Sequence, residues 1–257
     1  MDNKSQYLNN FKFGLISGIS AIIVSHPIDT IKTNIQESKP INYNWKSLYK
    51  GLSAPLLGVG LEKSIVFGVF ETTRPMTQSD VISGALSGLA ASFVVSPFER
   101  IKILFQTNQG GWKFVKQNLN PRFMFQGLSA TFYRETPGFA IYFSVYNYLK
   151  DNRKYIHKML NLEKDMGNKI SLAESFIFGS VAGSTAWIFI YPQDRIKTHI
   201  QAMVDKKIGF VEGFKEIITK GGGYKGLYKG FHFALMRAIP LHATAFATME
   251  FCKKYLQ

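Results

Sequence analysis

The segment PIDTIK at residues 27–32 returns as PFERIK at residues 97–102 and as PQDRIK at residues 192–197. Each copy holds a proline, an acid two residues later and a lysine three residues after the acid. A glutamine follows each lysine by four residues, and a pair of glycines spaced by four residues ends nine residues before each proline. The glutamines are Gln36, Gln106 and Gln201, and the glycine pairs are Gly14/Gly18, Gly84/Gly88 and Gly179/Gly183. Three matches in register indicate a threefold internal repeat.

A second module follows each copy at a variable distance. It begins with an aromatic residue two positions before a glycine. An acid or amide lies 20 residues after that glycine, and a basic residue lies three positions further on. The glycines Gly51, Gly127 and Gly230 lie 24, 30 and 38 residues after the prolines. We therefore predict three two-helix repeats, at residues 8–76, 77–160 and 170–257, each with a loop or short helix between its two helices. The polar stretch 151–169 is the predicted linker.

The hydrophobic pattern predicts a membrane protein. The first helix of each repeat has an uncharged apolar segment of 16–19 residues, at 13–28, 81–98 and 175–193. These lengths approach the roughly 20 residues that cross a bilayer. The second helices, at about 53–70, 130–149 and 233–250, are apolar but each carries a few charges. Charges in membrane helices usually face a bundle interior, so we predict six helices around a polar cavity.

The net charge of +14 is compatible with two kinds of partner, a nucleic acid or a membrane surface. Lysines crowd the predicted loops, which suits contact with anionic phospholipid. The sequence shows no zinc-ligand spacing, helix-turn-helix pattern or RNA-binding aromatic motif, so we expect no nucleic-acid partner. Cys252 is the single cysteine, which excludes an internal disulfide and a cysteine-built metal site. We expect neither a metal nor a cofactor.

Enzyme activity is not expected either. The sequence contains no nucleophile elbow, phosphate-binding P-loop or complete dinucleotide fingerprint, and its five histidines form no ligand-like cluster. Residues 1–10 lack the apolar core of a secretory signal and are not rich in arginine, so no cleaved targeting peptide is expected.

The chain resembles the mitochondrial carrier family over essentially its full length. The triplicated proline-acid-lysine motif with its downstream glutamine carries the resemblance. It implies an all-α membrane fold of six tilted transmembrane helices in three tandem repeats, with threefold pseudosymmetry and short helices on the matrix side. It also implies a multi-pass transporter of the mitochondrial inner membrane that exchanges solutes by alternating access, works as a monomer and contacts a cardiolipin-like lipid. Whether the organelle is the organism's own or a host's is left open.

Residues of the repeated motif then acquire expected roles. Pro27, Pro97 and Pro192 should kink the first helix of each repeat, because proline removes one helical hydrogen bond. The glycine pairs should allow close helix approach in lipid. The resemblance implies a six-charge ring that gates the matrix side, made of Asp29, Lys32, Glu99, Lys102, Asp194 and Lys197. Gln36, Gln106 and Gln201 lie one turn beyond and are expected to brace it.

A second set of residues is expected to close the cytosolic side. This cytosolic set consists of Glu71, Arg74, Asn147, Lys150, Glu250 and Lys253. Asn147 departs from the family pattern, which has an acid there, so one ion pair becomes at most a hydrogen bond. We therefore expect a weaker cytosolic gate and a cavity that opens to the cytosol more easily.

Four charges within the apolar second helices are predicted to bind the solute. They are Glu62, Arg134, Glu135 and Arg237, and intramembrane charges are functional by default. Local neutralisation of Arg134 by Glu135, or of Glu62 by Lys63, is the competing interpretation. We favour solute binding, because adjacent helical residues diverge by about 100° and are expected to pair poorly.

Local strings around these residues resemble the amino-acid and carnitine branch of the family. They are RETPG at 134–138, RAIP at 237–240 and LEKSIVF at 61–67. A basic amino acid or a carnitine-like zwitterion is the predicted solute. A nucleotide or deoxynucleotide exchanger is the alternative, with the two arginines and Lys63 on phosphate and aromatic side chains on the base. A carrier-like scaffold that moves nothing is the third interpretation.

Overall fold

The structure is a computed structural model, and it describes residues 3–107, 112–118, 120–159, 172–204, 206–220 and 222–255. Every regular element in these ranges is helical. Six helices are long: α1 (Asn3–Gln36), α3 (Ser53–Thr77), α4 (Asp80–Gln106), α7 (Leu128–Asp151), α9 (Leu172–Ala202) and α11 (Phe231–Tyr255). The short helices are α2 (Trp45–Leu48), α5 (Trp112–Gln117), α6 (Pro121–Met124), α8 (Arg153–Met159) and α10 (Phe210–Lys220), with a 3-10 helix at Gly223–Tyr228.

Three stretches of the described chain are long and apolar enough to span a membrane by themselves. They are Trp45–Thr77, which contains α3, together with Asp80–Gln106 and Glu174–Ala202 in α4 and α9. The remaining long helices carry charged residues in their interiors, such as Arg134 in α7 and Arg237 in α11. An all-α membrane bundle accommodates such helices when their charges face inward.

The first helix of each repeat runs further than its apolar segment. The segments end at residues 28, 98 and 193, whereas α1 ends at Gln36, α4 at Gln106 and α9 at Ala202. Pro27, Pro97 and Pro192 all lie inside these helices. Each helix continues beyond its proline because the charged residues there have partners inside the bundle. The apolar segment therefore marks the part of the helix in the membrane and does not mark the helix end.

The segments between paired helices lengthen from repeat to repeat, as the proline-to-glycine spacing predicts. The first holds α2, the second holds α5 and α6, and the third holds α10 and the 3-10 helix. All three end at a glycine with positive φ: +81° at Gly51, +88° at Gly127 and +82° at Gly230. Glycine adopts this conformation without steric cost, which explains the repeated aromatic-x-glycine pattern.

Residues just before two signature prolines hold these segments in place. His26 Nε2 lies 3.1 Å from the Lys50 carbonyl oxygen, and the Tyr191 hydroxyl donates to the Lys229 carbonyl at 2.9 Å. Each bond joins the first helix of a repeat to the residue preceding its positive-φ glycine. The bonds therefore fix the signature helix against its own connecting segment.

The long helices pack side by side in the order α3, α4, α7 and α9, and α1 packs along α11. Helices α4 and α7 approach each other most closely at two glycines of α4. A Cβ on Gly84 would lie 2.6 Å from the Phe139 carbonyl oxygen, and one on Gly88 would lie 2.9 Å from Thr136 Cα. The predicted close approach is thus found at this pair. It is wrong for Gly18 and Gly183, where a Cβ would have no neighbour within 4 Å.

The predicted linker is partly helical. Within residues 151–169, α8 occupies Arg153–Met159, and Arg153 pairs with Glu174 of α9 at 3.3 Å. Residues 160–169 lie outside the described ranges. The division into three repeats at the stated limits stays a prediction.

Candidate functional site

A cavity of about 1010 Å³ lies between the six long helices. Its walls are mainly apolar, and charged residues of α3, α7 and α11 face it. Glu62, Lys63, Arg134 and Arg237 are among its lining residues. One end of the cavity is formed by residues of the six-charge ring, including Asp29, Lys32, Glu99, Lys102 and Asp194.

All six charges of the ring are engaged with one another. Lys32 Nζ lies 2.5 Å from Asp194 Oδ2, Lys102 pairs with Asp29, and Lys197 pairs with Glu99. Every pair joins two different predicted repeats. The geometry follows from the motif, because an acid and a lysine three residues apart share one helix face and each can reach a neighbouring helix. Asp29, Lys32, Asp194 and Lys197 are all buried.

The three glutamines beyond the ring have different partners. Gln36 Nε2 donates to the Tyr191 hydroxyl at 3.1 Å and lies 3.5 Å from Asp194 Oδ2. Gln106 accepts from Thr33 at 2.9 Å and donates to Thr30 at 3.1 Å, while Gln201 donates to Thr131 at 3.3 Å. Among the described hydrogen bonds, only that of Gln36 reaches a charge of the ring. The sequence does not mark Tyr191 as the partner of Gln36, although a histidine occupies the matching position before Pro27.

Both cavity arginines contact acids of the ring. Arg237 Nη1 donates to Asp29 Oδ1 at 2.9 Å, and Arg134 Nε lies 3.7 Å from Asp194 Oδ1. Arg134 also lies over the Trp187 ring, with its guanidinium carbon 5.4 Å from the ring centroid. Asp29 and Asp194 are therefore each shared between a lysine of the ring and an arginine of the cavity.

The expectation that adjacent charges pair poorly is wrong. Lys63 Nζ lies 3.0 Å from Glu62 Oε1, and Arg134 bonds to Glu135. The lysine and arginine side chains are long enough to bend along the helix surface and reach the adjacent carboxylate. The two glutamates are thus partly neutralised by their own neighbours.

Glu135 lines the cavity as well, but it is far more buried than Glu62. It is 1% exposed, and its Oε1 lies 3.6 Å from Lys197 Nζ in addition to contacting Arg134. The structure therefore places Glu135 at the floor of the cavity, against the ring, while Glu62 lies higher on the wall and remains partly exposed. Within the cavity, the Glu135 carboxylate is thus already engaged by Arg134 and lies close to Lys197.

Two members of the cytosolic set meet at one acid at the other end of the bundle. Arg74 pairs with Asp80 at the start of α4, and Asn147 Nδ2 donates to the same Asp80 oxygen at 2.8 Å. Glu71 and Lys150 are exposed. The Glu250 and Lys253 side chains lie outside the described residues. Asp80 was missed by the sequence analysis, although it is an acid six residues after Arg74.

A polar cluster lies beyond the ring, where α9 meets α10. Arg195 pairs with Glu37 at 2.5 Å, and the two ring nitrogens of His199 lie 3.1 Å from Glu37 and 3.3 Å from Glu216. Lys206 donates to Glu216 at 3.1 Å. Hydrogen bonds with Lys206 and His199 hold the pKa of the Glu216 carboxyl below its ordinary value. The cluster ties the end of α1 to α9 and α10.

The sequence profile of mitochondrial carrier proteins matches residues 74–155 and 168–257. The chain belongs to the mitochondrial carrier family. Curated relatives span nearly its whole length. The glutamate/glycine mitochondrial carrier of Schizosaccharomyces pombe is 29% identical, with 98% of this chain and 96% of the relative covered. The human mitochondrial carnitine/acylcarnitine carrier protein is 27% identical and a mitochondrial arginine transporter of Arabidopsis thaliana is 28% identical, each covering 97% of this chain and 94% of the relative.

Mitochondrial carriers are transporters of small-molecule solutes and not enzymes. This mitochondrial carrier is accordingly a multi-pass transporter of the mitochondrial inner membrane. The family resemblance, the all-α membrane fold and the transporter class predicted from the sequence are therefore confirmed.

Proposed function

We propose that this mitochondrial carrier exchanges small charged metabolites by alternating access, and that its solutes are basic amino acids or carnitine-like zwitterions. In this proposal the six-charge ring closes the matrix side and the cytosolic set closes the other side. The structure then corresponds to the cytosol-open state, because the ring is paired and Arg74 and Asn147 lie against Asp80.

The observation that carries the proposal is the sharing of ring acids with cavity arginines. A solute carboxylate that binds Arg237 competes with Asp29 for the same guanidinium, which lies 2.9 Å away. Asp29 then still pairs with Lys102 but no longer pairs with Arg237. Because desolvation offsets much of the Coulomb gain in a buried ion pair, removing one partner weakens a ring that is already near balance. Solute binding thereby favours opening of the matrix side.

This coupling meets a thermodynamic requirement of any ligand-driven change. A ligand shifts a conformational equilibrium only by its difference in affinity for the two states. A carboxylate competes with Asp29 and Asp194 when the ring is closed and meets no such competition when it is open. The solute is therefore bound more tightly as the ring separates.

The chemistry of the cavity fits a zwitterion. The names of three relatives state that they carry glutamate and glycine, carnitine and acylcarnitine, or arginine. All of these solutes combine a carboxylate with a cationic nitrogen. Arg134 and Arg237 supply charge-assisted donors for the carboxylate, and Glu62, on the wall beside Lys63, supplies an acceptor for an ammonium or guanidinium group.

Nucleotide exchange is the second candidate, and one observation favours it. Glu62 and Glu135 each have a cationic neighbour, so their repulsion of a polyphosphate is weaker than the sequence suggests. Arg134, Arg237 and Lys63 would then bind phosphate groups, and Trp187 offers a stacking face beside Arg134.

We also propose an anionic, cardiolipin-like phospholipid at the matrix surface and one chain per functional unit. Exposed lysines on the connecting segments support the lipid contact; they are Lys46, Lys50, Lys113, Lys116, Lys207 and Lys225. Each lysine or arginine near an anionic surface contributes about 1 kcal/mol of attraction.

The test is uptake into proteoliposomes loaded with a mixed solute pool. Labelled arginine, ornithine, carnitine, glutamate and glycine are compared with labelled ADP and deoxynucleotides. Selective uptake of the zwitterions supports the proposal, whereas selective nucleotide uptake establishes the second candidate. Uptake of none of them contradicts both solute assignments and points to another anionic metabolite or to a scaffold.

A further inference from the structure

Asp80 connects three helices at the end of the cavity opposite the six-charge ring. It lies in the first turn of α4, and one of its oxygens accepts from both Arg74 of α3 and Asn147 of α7. The Asp80 side chain is 20% exposed and that of Arg74 is 38% exposed. Two members of the cytosolic set are thus held by an acid that belongs to neither the repeated motif nor that set.

The turn between α3 and α4 has its own stabilising bonds. Ser79 caps α4 by accepting from the Ile82 N–H at 3.4 Å, and the Thr77 and Ser83 hydroxyls are 2.6 Å apart. The Arg74 carbonyl also accepts from the Gln78 N–H at 3.0 Å. These bonds do not involve the Asp80 carboxylate, which instead contacts Arg74 of α3 and Asn147 of α7.

We propose that Asp80 is a positioning residue of the transport cycle, which stabilises the cytosol-open state by holding Arg74 and Asn147 against the cavity wall. To close the cytosolic side, both residues must leave Asp80 and reach across the cavity mouth. The inference depends on the alternating-access mechanism proposed above. It adds a specific competitor for the cytosolic set, on a helix that contributes no residue to that set.

Asp80 also explains why residue 147 is an asparagine. The Asn147 amide nitrogen donates to Asp80 at 2.8 Å, which a carboxylate at that position could not do. Two ionised carboxylates on one site repel each other. Asn147 and Asp80 therefore form a matched pair, and the departure from the family pattern supports an added contact rather than only a lost one.

The experiment measures the accessibility of a cavity cysteine from each side of the membrane. Ser184 lines the cavity and is exposed, so Ser184→Cys is introduced into the full chain together with Cys252→Ser. An impermeant maleimide is added to mitoplasts, which present the cytosolic face, and to inside-out vesicles, which present the matrix face. The ratio of the two labelling rates reports the balance between the two states.

Asp80→Asn should lower the ratio of cytosolic-side to matrix-side labelling at least about fivefold, the low end of typical coupling between sites. A purely structural defect would change labelling from both sides in the same direction. Asp80→Glu keeps the charge and should stay near the parent ratio. Asp151→Asn removes an exposed acid at the end of α7 and serves as the matched control.

A double variant keeps the test decisive. Asn147→Asp alone should lower the ratio, because it places a second carboxylate against Asp80. In an Asp80→Asn background it should lower the ratio by a clearly smaller factor, because the repulsion from Asp80 is gone and only the gain of an acid in the cytosolic set remains. Full additivity would overturn the inference, as would an unchanged ratio in Asp80→Asn or an equal fall in Asp151→Asn. Equal labelling from both sides in the parent would instead contradict the proposed assignment of the cytosol-open state as the favoured one.

Discussion

Arg237 and Asp29 share an ion pair at 2.9 Å, and each also belongs to a different functional set. Arg237 lines the solute cavity, and Asp29 pairs with Lys102 in the six-charge ring. In the proposed function, a solute carboxylate therefore meets an arginine that is already paired with an acid of the ring. Solute binding and closure of the matrix side would then compete for the same guanidinium.

Arg237→Ala should reduce uptake of carboxylate-bearing solutes at least about tenfold, because a hydrogen bond to a charged group contributes about 1.5–3 kcal/mol. The measurement is initial uptake into proteoliposomes at equal amounts of reconstituted protein. Arg122→Ala removes an exposed arginine of α6 and should leave uptake unchanged. Parent-like uptake in Arg237→Ala would remove this residue from the solute site.

Replacing a lysine of the six-charge ring by alanine should impair exchange without preventing membrane insertion. In Lys197→Ala, Glu99 and Glu135 lose their shared cation, and breaking a buried pair costs about 3–5 kcal/mol. We expect exchange to fall at least about tenfold, with similar losses in Lys32→Ala and Lys102→Ala. Lys154→Ala, which removes an exposed lysine of α8, is the control. Full exchange in all three ring variants would contradict the gating role.

Gly84→Ala and Gly88→Ala should each destabilise the carrier by about 1–3 kcal/mol, the usual cost of overpacking. The added methyl groups would collide with the backbone of α7 at Phe139 and Thr136. Gly183→Ala places the same group where nothing lies within 4 Å and should cost no packing energy. Thermal unfolding in detergent separates the cases. Equal melting temperatures for Gly84→Ala and Gly183→Ala would show that the α4–α7 contact is looser than described.

Glu216 should stabilise the polar cluster that it forms with Glu37, Arg195, His199 and Lys206. The size of this contribution should depend on pH. Its pKa is lower in the folded protein than in the unfolded chain, so its contribution is present above the ordinary carboxyl pKa of about 4.3 and is lost as the pH falls below that value. Glu216→Gln should therefore have a lower melting temperature than the parent at neutral pH. The difference should shrink toward acidic pH, and a difference independent of pH would show that the carboxylate charge is not its source.

The sequence predicts the architecture well because the architecture is repeated. Three copies of one motif place the ring charges on helix faces, and the cross-repeat pairs of Lys32, Lys102 and Lys197 follow from that register. Helix ends were predicted less well. The apolar segment of each first helix ends just before the first charged residue. The helix itself continues, because the buried charges beyond that point have partners.

The detailed contacts could not be predicted because they depend on distances between helices. Arg134 reaches Glu135 and Asp194 together, which no spacing along one helix reveals. Asp80 is a partner of Asn147 across 67 positions of the chain. Only the packing of α4 against α7 brings these two residues together.

The glycine contact between α4 and α7 has a mechanical consequence. Backbone touches backbone at Gly84 and Gly88, so these two helices have little room to slide past each other and should travel as one rigid block. Gly18 and Gly183 provide no such lock for α1 and α9. The displacement that exposes the matrix side should therefore be unequal around the bundle, with α4 and α7 moving together and α1 and α9 free to move separately. A carrier built from three similar repeats would then have one coupled pair of helices and no matching couplings in the other repeats.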